Sequence, residues 1–320
     1  MKLRMGFIVD PIENFNINTD TTFTFMLESQ ARGYDVWYFE IKDIFVKDGR
    51  PFCNAKKVKV KRARNHYKVT STRTLSFEDF DVLWMRKDPP FNMDYVYTTY
   101  YLSLVDPKKT FVINDPKGIR ESNEKLYTMY FPDVIPQSCV AKDIGRLNEF
   151  LDEVGGQMVV KPLDGHGGEG VFFVKKGDKN ADVIIENITN FGTQFVLAQK
   201  FIKKVSEGDK RIIILNGKPI GSVLRVAKKG GEFRCNFHSG GSAKKSTLTK
   251  RDRYICDAIS ERLVADGLYF VGIDVIGGYL SEVNTTSPTC VQEINALSKV
   301  KLEEQVIDFV EDYLNTNNIS

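Results

Sequence analysis

The chain has 320 residues, 42% of them hydrophobic, which exceeds what one compact core ordinarily holds and predicts two or three packed subdomains. With 45 Lys and Arg against 42 Asp and Glu the net charge is only +3, so no global field argues for nucleic acid or a membrane as partner, and any charge-based function is local. Cys53, Cys139, Cys235, Cys256 and Cys290 are scattered and form no C-x-x-C pair, which argues against a disulfide framework or a zinc site and fits a reducing cytoplasm. The first apolar run ends at Asp10, too short for a signal peptide, and no stretch nears the ~18 apolar residues of a membrane span, so a soluble, unprocessed chain is expected.

In chain order, Leu3 to Val9 reads as a buried strand, Phe23 to Arg32 as an amphipathic helix stopped by Gly33, and Tyr34 to Phe39 as a second strand. Lys56 to Arg64, KKVKVKRAR, partly alternates basic and apolar residues and is expected to be a solvated hairpin protruding from the sheet; no aromatic platform is interleaved to favour nucleic acid. Val82 to Met85 and Phe111 to Ile113 are short strands, and Asp115-Pro116 supplies an N-cap and first-turn proline for a helix running through Leu126. This β-α-β pattern predicts a parallel sheet.

From about Phe131 the punctuation changes: Pro132 and Pro136 mark a linker, and a capped helix spans Asp143 to Val154. The segment Met158 to Val174 follows, MVVKPLDGHGGEGVFFV. Gly165, His166, Gly167, Gly168, Glu169 and Gly170 satisfy G-x-G-x-x-G, but a dinucleotide fingerprint needs a helix after the glycines, and here a strand, Val171 to Val174, follows. The better geometry is a hairpin whose tip lays backbone N–H groups over phosphates, with Lys161 adding charge; the plain alternative is a glycine-rich turn. Next come a helix near Ala181 to Ile188, a strand Phe195 to Phe201 and a hairpin, Ile212 to Leu215 with Leu224 on its far arm, turned at Asn216-Gly217. A helix Asp252 to Ala265, a hairpin Tyr269 to Ile276 with Tyr279 to Val283, and a closing amphipathic helix Leu302 to Leu314 complete the chain.

Glu282 and Asn284 are two residues apart on a strand, so they share a face, and both are hard oxygen ligands of the kind magnesium takes. Asp274 joins them if the intervening turn holds three residues, Gly277, Gly278 and Tyr279, which pairs Asp274 with Glu282; the bland alternative is a solvated hairpin face. Lysines at element ends are usually surface snorkels, but Lys125 and Lys161, flanking a glycine flap and a carboxylate hairpin, become candidate phosphate ligands. The run LAQKFI, with Gln199, Phe201 and Ile202, offers an edge for an adenine, and Asp209 a partner for a ribose hydroxyl. Arg211, Arg225 and Arg234 suit phosphate or carboxylate oxygens. The glycine-rich loop Lys228 to Ser242 is expected to be mobile until substrate arrives.

In this order the pieces resemble the prokaryotic glutathione synthetases of the ATP-grasp superfamily. The resemblance is carried by IVDPIENFNINTDTTF (Ile8 to Phe23), MRKDPPF (Met85 to Phe91), NEKL (Asn123 to Leu126), VVKPLDGHGG (Val159 to Gly168), GDKR (Gly208 to Arg211) and FVGIDVIGGYLSEVNTTSPTC (Phe270 to Cys290). It implies an α/β and α+β chain: an N-terminal parallel-sheet pre-ATP-grasp substrate domain (1–122), then an ATP-grasp fold of two subdomains (123–200 with the flap, 201–320 with metal and catalytic residues). It also implies a reaction in which ATP phosphorylates the cysteinyl carboxylate of γ-glutamylcysteine and glycine attacks the acyl phosphate, giving glutathione, ADP and phosphate. On matching positions, Lys125, Lys161, Gly165, Gly167, Gly168, Gln199, Phe201, Ile202 and Asp209 would hold ATP. Asp274, Glu282 and Asn284 would hold Mg²⁺ or Mn²⁺, and Arg211, Arg225 and Arg234 would stabilise charge during transfer. Arg86, Lys87, Asp88, Ser287, Pro288 and Thr289 would face the substrate. A homotetramer is implied, with no nucleic-acid or membrane partner. Ser242, followed by Lys244 and Lys245, stands where the family tends to carry a second arginine, and His166 where methionine is common. Alternatives are a related ATP-grasp ligase for another acid and amine, or an ATP-binding module without turnover.

Overall fold

In the computed structural model, residues 2–165, 167–227, 235 and 240–319 are described, and they build three sheets. The first contains β1 (Arg4–Ile8), β2 (Asp35–Phe39), β3 (Ile44–Lys47), β4 (Arg50–Val60), β5 (Tyr67–Ser76), β6 (Val82–Met85) and β7 (Phe111–Ile113). Its order is β3-β4-β2-β1-β6-β7, with β5 on β4. The β2-β1-β6-β7 stretch is parallel, as the near-continuous apolar runs of β1 and β6 demand of strands buried on both faces. Helix α1 (Thr21–Ala31) starts two residues before the predicted Phe23, because the Asp20 carboxylate accepts the Phe23 N–H at 2.7 Å and fixes the first turn.

Two readings of this region are corrected, and one element is added. The basic hairpin is no protrusion: β4 pairs antiparallel with β2, Trp37 opposite Lys57, and Cys53, Ala55, Val58 and Val60 are buried. A bulge between Lys57 and Val58 breaks the alternation on which the solvated reading rested. The helix begun at Asp115-Pro116, α3 (Pro116–Glu121), does not reach Leu126, because the Asn123 side chain accepts the Lys125 and Leu126 N–H groups and turns the chain. Helix α2 (Met93–Leu102) was not anticipated.

The second sheet, β8 (Ser138–Ala141), β9 (Gln157–Pro162), β10 (Phe172–Lys175) and β11 (Val196–Lys200), is antiparallel in the order β10-β9-β11-β8. Helices α4 (Ile144–Glu153) and α5 (Ala181–Ile188) cover one face around Leu147, Phe150, Met158, Val160 and Ile185. The third sheet runs β14-β13-β12-β15-β16, from β12 (Asp209–Leu215), β13 (Lys218–Val226), β14 (Ser242–Lys245), β15 (Phe270–Ile276) and β16 (Tyr279–Asn284). As predicted, Asn216 (φ 47°) and Gly217 (φ 75°) turn β12 into β13 in the left-handed conformation that a tight hairpin needs.

The third sheet is buried on both faces because alternate residues of β12 enter different cores. Ile213 and Leu215 join Met5, Phe7 and Phe25 with α7 (Val291–Ser298) and α8 (Leu302–Thr316), whereas Ile212 and Ile214 join Phe39, Leu83 and Met85 with α6 (Lys250–Ala265). The first and third sheets thus share hydrophobic cores, while the second keeps its own and faces the third across a cleft.

Candidate active site

That cleft is lined by the glycine tip, by β9 and β11 on one side and by β12, β13, β15 and β16 on the other. Each side contributes a lysine-centred contact to the other. Lys161, at the end of β9, donates to Gln199 Oε1 at 2.9 Å and, across the cleft, to Ser281 Oγ at 3.0 Å. Lys125 donates to the Gly165 carbonyl and lies 3.2 Å from Glu282 Oε1, so it ties the flap to β16. Burial holds the Lys161 ammonium below its ordinary pKa despite the attraction of Glu282, the expected condition of a cation whose direct partners are neutral.

The flap is an antiparallel hairpin, Phe172 opposite Val160, and its tip glycines Gly167 and Gly168 take φ of +59° and +77°, which side chains resist. Gly165, Gly167 and Gly168 line the cleft, whereas His166 lies outside the described residues. At the apolar end, Phe201, Ile202, Val205, Val159 and Ile276 surround the space beside Gln199, whose amide also donates to Ser138 Oγ at 3.0 Å.

At the floor is a buried four-member charge cluster. Arg211 grips Asp274 with both ends of its fork, Nε to Oδ1 at 2.5 Å and Nη2 to Oδ2 at 3.1 Å, and Arg225 reaches Asp274 Oδ2 at 2.9 Å while also donating to Asp209. Burial pushes the Asp274 carboxyl up, but the two guanidinium groups outweigh it and hold the group well below the carboxylate range. Asp209 titrates upward, chiefly through burial. Asp209 is therefore engaged by Arg225, and only its Oδ1, buried and unpartnered, is left over for a further donor.

Asp274 stands opposite Glu282, as the metal reading requires, but by another route. The turn is the two-residue Gly277-Gly278, with Ile276 opposite Tyr279, and Ser281 is an extra, bulged residue that restores the register. That bulge also aims Ser281 at Lys161. Asn284 donates to the Gly272 carbonyl at 3.1 Å, which leaves its amide oxygen for another partner. Among the described residues no three His, Cys, Asp or Glu side chains form a cation cage by themselves. Of the three expected donors, the Glu282 carboxylate and the Asn284 amide oxygen face the cleft and suit a hard cation that completes its shell with phosphate oxygens, whereas both Asp274 oxygens are engaged by Arg211 and Arg225.

The expected substrate-side residues fall beyond Arg211. Arg86 is buried, donates to Thr22 Oγ1 at 3.0 Å and to the Pro288 carbonyl at 2.9 Å, and lies over the Phe25 and Phe270 rings. It braces this face through Nε and Nη2, while its Nη1 is buried without a protein partner. Lys87 pairs with Asp10 at 2.8 Å, and the Asp88 N–H donates to the same carboxylate. Ser287, Pro288 and Thr289 follow β16, and a Cβ placed at Gly272 would lie 3.0 Å from both Pro288 Cβ and Arg211 Cδ, so this segment adjoins the arginine pair. Arg234, and the loop 228–242 apart from Cys235 and residues 240–242, lie outside the described residues. Sequence reasoning passed over Glu124, whose carboxylate accepts the Thr285 and Thr286 N–H groups at 2.9 and 3.2 Å and the Thr286 hydroxyl at 2.9 Å. Its one sequence signal is its place beside Lys125.

The same architecture occurs in a D-cycloserine synthetase, DcsG (TM-score 0.67, 12% identity, covering 96% of this chain and 99% of that one), and in a RiPP-associated ATP-grasp ligase of Chryseobacterium gregarium (TM-score 0.66, 16% identity, 98% and 97%). At such identities the likeness shows the fold, an ATP-grasp architecture behind an N-terminal α/β layer. Much closer in sequence are glutathione synthetases of Gloeobacter violaceus (42% identical over 317 residues, 97% of both chains), Synechococcus elongatus (41% over 323, 98% and 99%) and Vibrio vulnificus (39% over 312, 97% and 98%). The family models for the prokaryotic glutathione synthetase N-terminal domain and ATP-grasp domain match residues 3–120 and 124–299, and the chain belongs to the prokaryotic glutathione synthetase family.

Proposed function

We propose that this protein is an ATP-dependent ligase that joins γ-glutamylcysteine to glycine through an acyl phosphate, forming glutathione, ADP and phosphate. The observation that carries the reading is the convergence of Lys125, Lys161, Arg211 and Arg225 on one cleft together with the oxygen donors of β16, in a chain of this family. Phosphoryl transfer needs little covalent help from a protein and much positioning and charge compensation, which is what four converging cations supply.

In this reading Lys125, Lys161 and the N–H groups of Gly165, Gly167 and Gly168 bind phosphates, while Gln199, Phe201 and Ile202 take the base. Asp209 spends its charge on Arg225 and offers at most Oδ1 to the ribose. Arg211 and Arg225, held in place by Asp274, stabilise charge at the transferred phosphoryl group and the tetrahedral centre; Arg234 is assigned a like role by family resemblance alone. Asp274, Glu282 and Asn284 would hold Mg²⁺, or Mn²⁺, which supplies neutralisation of the polyphosphate when bound. The acid substrate lies toward Lys87, Asp88, Ser287, Pro288 and Thr289, with Arg86 bracing Pro288 from behind. A cytoplasmic location and a homotetramer, to be read by fractionation and light scattering, belong to the same reading.

The test is phosphate release from Mg-ATP with γ-glutamylcysteine and glycine supplied separately and together. Release that needs both, with glutathione formed in equal amount, is expected; release with a different acid and amine, or tight ATP binding without turnover, would overturn the assignment.

A further inference from the structure

The tip of the basic hairpin is the one prominent sequence feature that the active site does not absorb, and it reaches the acid side of the site through a single glutamine. Gln292, buried in the first turn of α7 and three residues beyond Thr289, donates its Nε2 to the Asp20 carbonyl at 2.5 Å and to the Ile17 carbonyl at 3.3 Å. Its Oε1 accepts from Arg62 Nη1 at 2.7 Å, and the same Arg62 nitrogen donates to the Ile17 carbonyl at 2.6 Å. Beside them, His66 Nε2 lies 2.7 Å from the Ile12 carbonyl, and its ring meets Phe23 edge-on. Hairpin tip, β1–α1 loop and α7 therefore meet at one point.

The loop so held, residues 10–20, leaves the carboxyl end of β1, the edge of a parallel sheet where ligands bind. Its ends have their own restraints: Asp10 pairs with Lys87 and caps the Asp88 N–H, and Asp20 caps α1. In its middle, with Asn16 and Asn18 exposed, the Asn16 carbonyl accepts from the Thr19 and Asp20 N–H groups, while the Ile17 carbonyl takes its side-chain donors from outside the loop, Gln292 and Arg62. We propose that Gln292, oriented by Arg62, is a positioning residue that fixes the 10–20 loop against the Ser287–Thr289 segment and thereby sets the affinity for the acid substrate. This rests on the reading above, in which that face takes γ-glutamylcysteine.

Gln292→Glu keeps an acceptor for Arg62 but turns the donor aimed at two carbonyls into a repelling oxygen. The loss of two buried hydrogen bonds should raise the KM for γ-glutamylcysteine about tenfold and lower the thermal midpoint by a few degrees, with kcat and the KM for ATP unchanged. Arg62→Ala should shift the same KM, and Arg62→Lys should recover part of it. Hydrogen exchange in the full-length protein without substrate should quicken in residues 10–20 and nowhere else. An unchanged KM for the acid, an equal rise in the KM for ATP, or unchanged exchange in residues 10–20 would each overturn the inference. Failure of the wild type to use γ-glutamylcysteine would instead overturn the functional reading; the exchange result would still decide the positioning role, with the KM read on whichever acid is turned over.

Discussion

Lys161 sits in the cleft under conditions that favour its neutral form, with Gln199 Oε1 and Ser281 Oγ as its hydrogen-bond partners and burial depressing its pKa. A charge held this way costs stability until an anion arrives. Replacing it with methionine removes the ammonium and keeps most of the aliphatic stem, so Lys161→Met should leave the ligand-free protein as stable as the wild type or more so. The sign on pH follows: a lysine whose folded pKa lies below its ordinary 10.5 makes the wild type gain stability as pH rises toward 10.5, and the variant should lose that slope. Nucleotide binding should move the other way. One ammonium about 4 Å from a phosphate, at an effective dielectric of about 20, contributes about 4 kcal/mol, and desolvation takes back part of it, so a rise of about a hundredfold in the Kd for ATP is expected. Thermal unfolding across pH together with titration calorimetry reads both quantities. A variant that unfolds several degrees lower than the wild type yet binds ATP within a few-fold would refute the reasoning, for it would make Lys161 a structural cation.

Glu282→Ala should abolish ligation while circular dichroism and the unfolding midpoint stay near wild type, because its direct partner Lys125 keeps the Gly165 carbonyl; turnover above about a tenth would remove Glu282 from the metal set. Gly272→Ala puts a methyl 3.0 Å from Arg211 Cδ and Pro288 Cβ, so kcat should fall at least about tenfold through a displaced guanidinium while ATP affinity holds; an unaltered kcat would show that Arg211 has room to spare. Asp20 is pushed up to about 6, mainly by burial, so the folded protein binds more protons than the unfolded chain between 3.8 and about 6, and stability falls as pH rises through that window. Asp20→Asn keeps a capping oxygen and should remove this contribution, on the order of 2 kcal/mol, in denaturant titrations at the two ends of the window; parallel curves for the two proteins would contradict it.

What could be read from sequence was local. The Asn216-Gly217 turn, the Asp143 cap and the strand after the flap glycines are written in adjacent residues, and each stands where expected. Pairings that depend on distant residues were harder. Asp274 meets Glu282 because of a bulge at Ser281, where counting residues suggested a longer turn, and both routes predict one register. Helix α2, MDYVYTTYYL, has aromatic residues all round it and gives no clean period. Glu124 looks like an ordinary surface charge in the sequence, because its partners, the Thr285 and Thr286 amides, are more than 150 residues away.

The charge of the cleft narrows what can occupy it. Among the described lining residues Lys125, Lys161, Lys200, Arg211 and Arg225 carry positive charge, and Glu169, Asp209, Asp274 and Glu282 carry negative charge. Most of the arginine charge is already spent inside the cluster: Asp274 takes both guanidinium groups and Asp209 takes Arg225 again. A nucleoside triphosphate brings about four negative charges, more than Lys125, Lys161 and Lys200 can offset, and its phosphates would lie beside Glu282. Either Glu282 is repelled or a cation enters with the nucleotide, and Glu282, facing the cleft beside Asn284 and opposite Asp274, has the position for the second outcome. Under the proposed reading, β16 would supply half of a cation site whose other half is the phosphate chain.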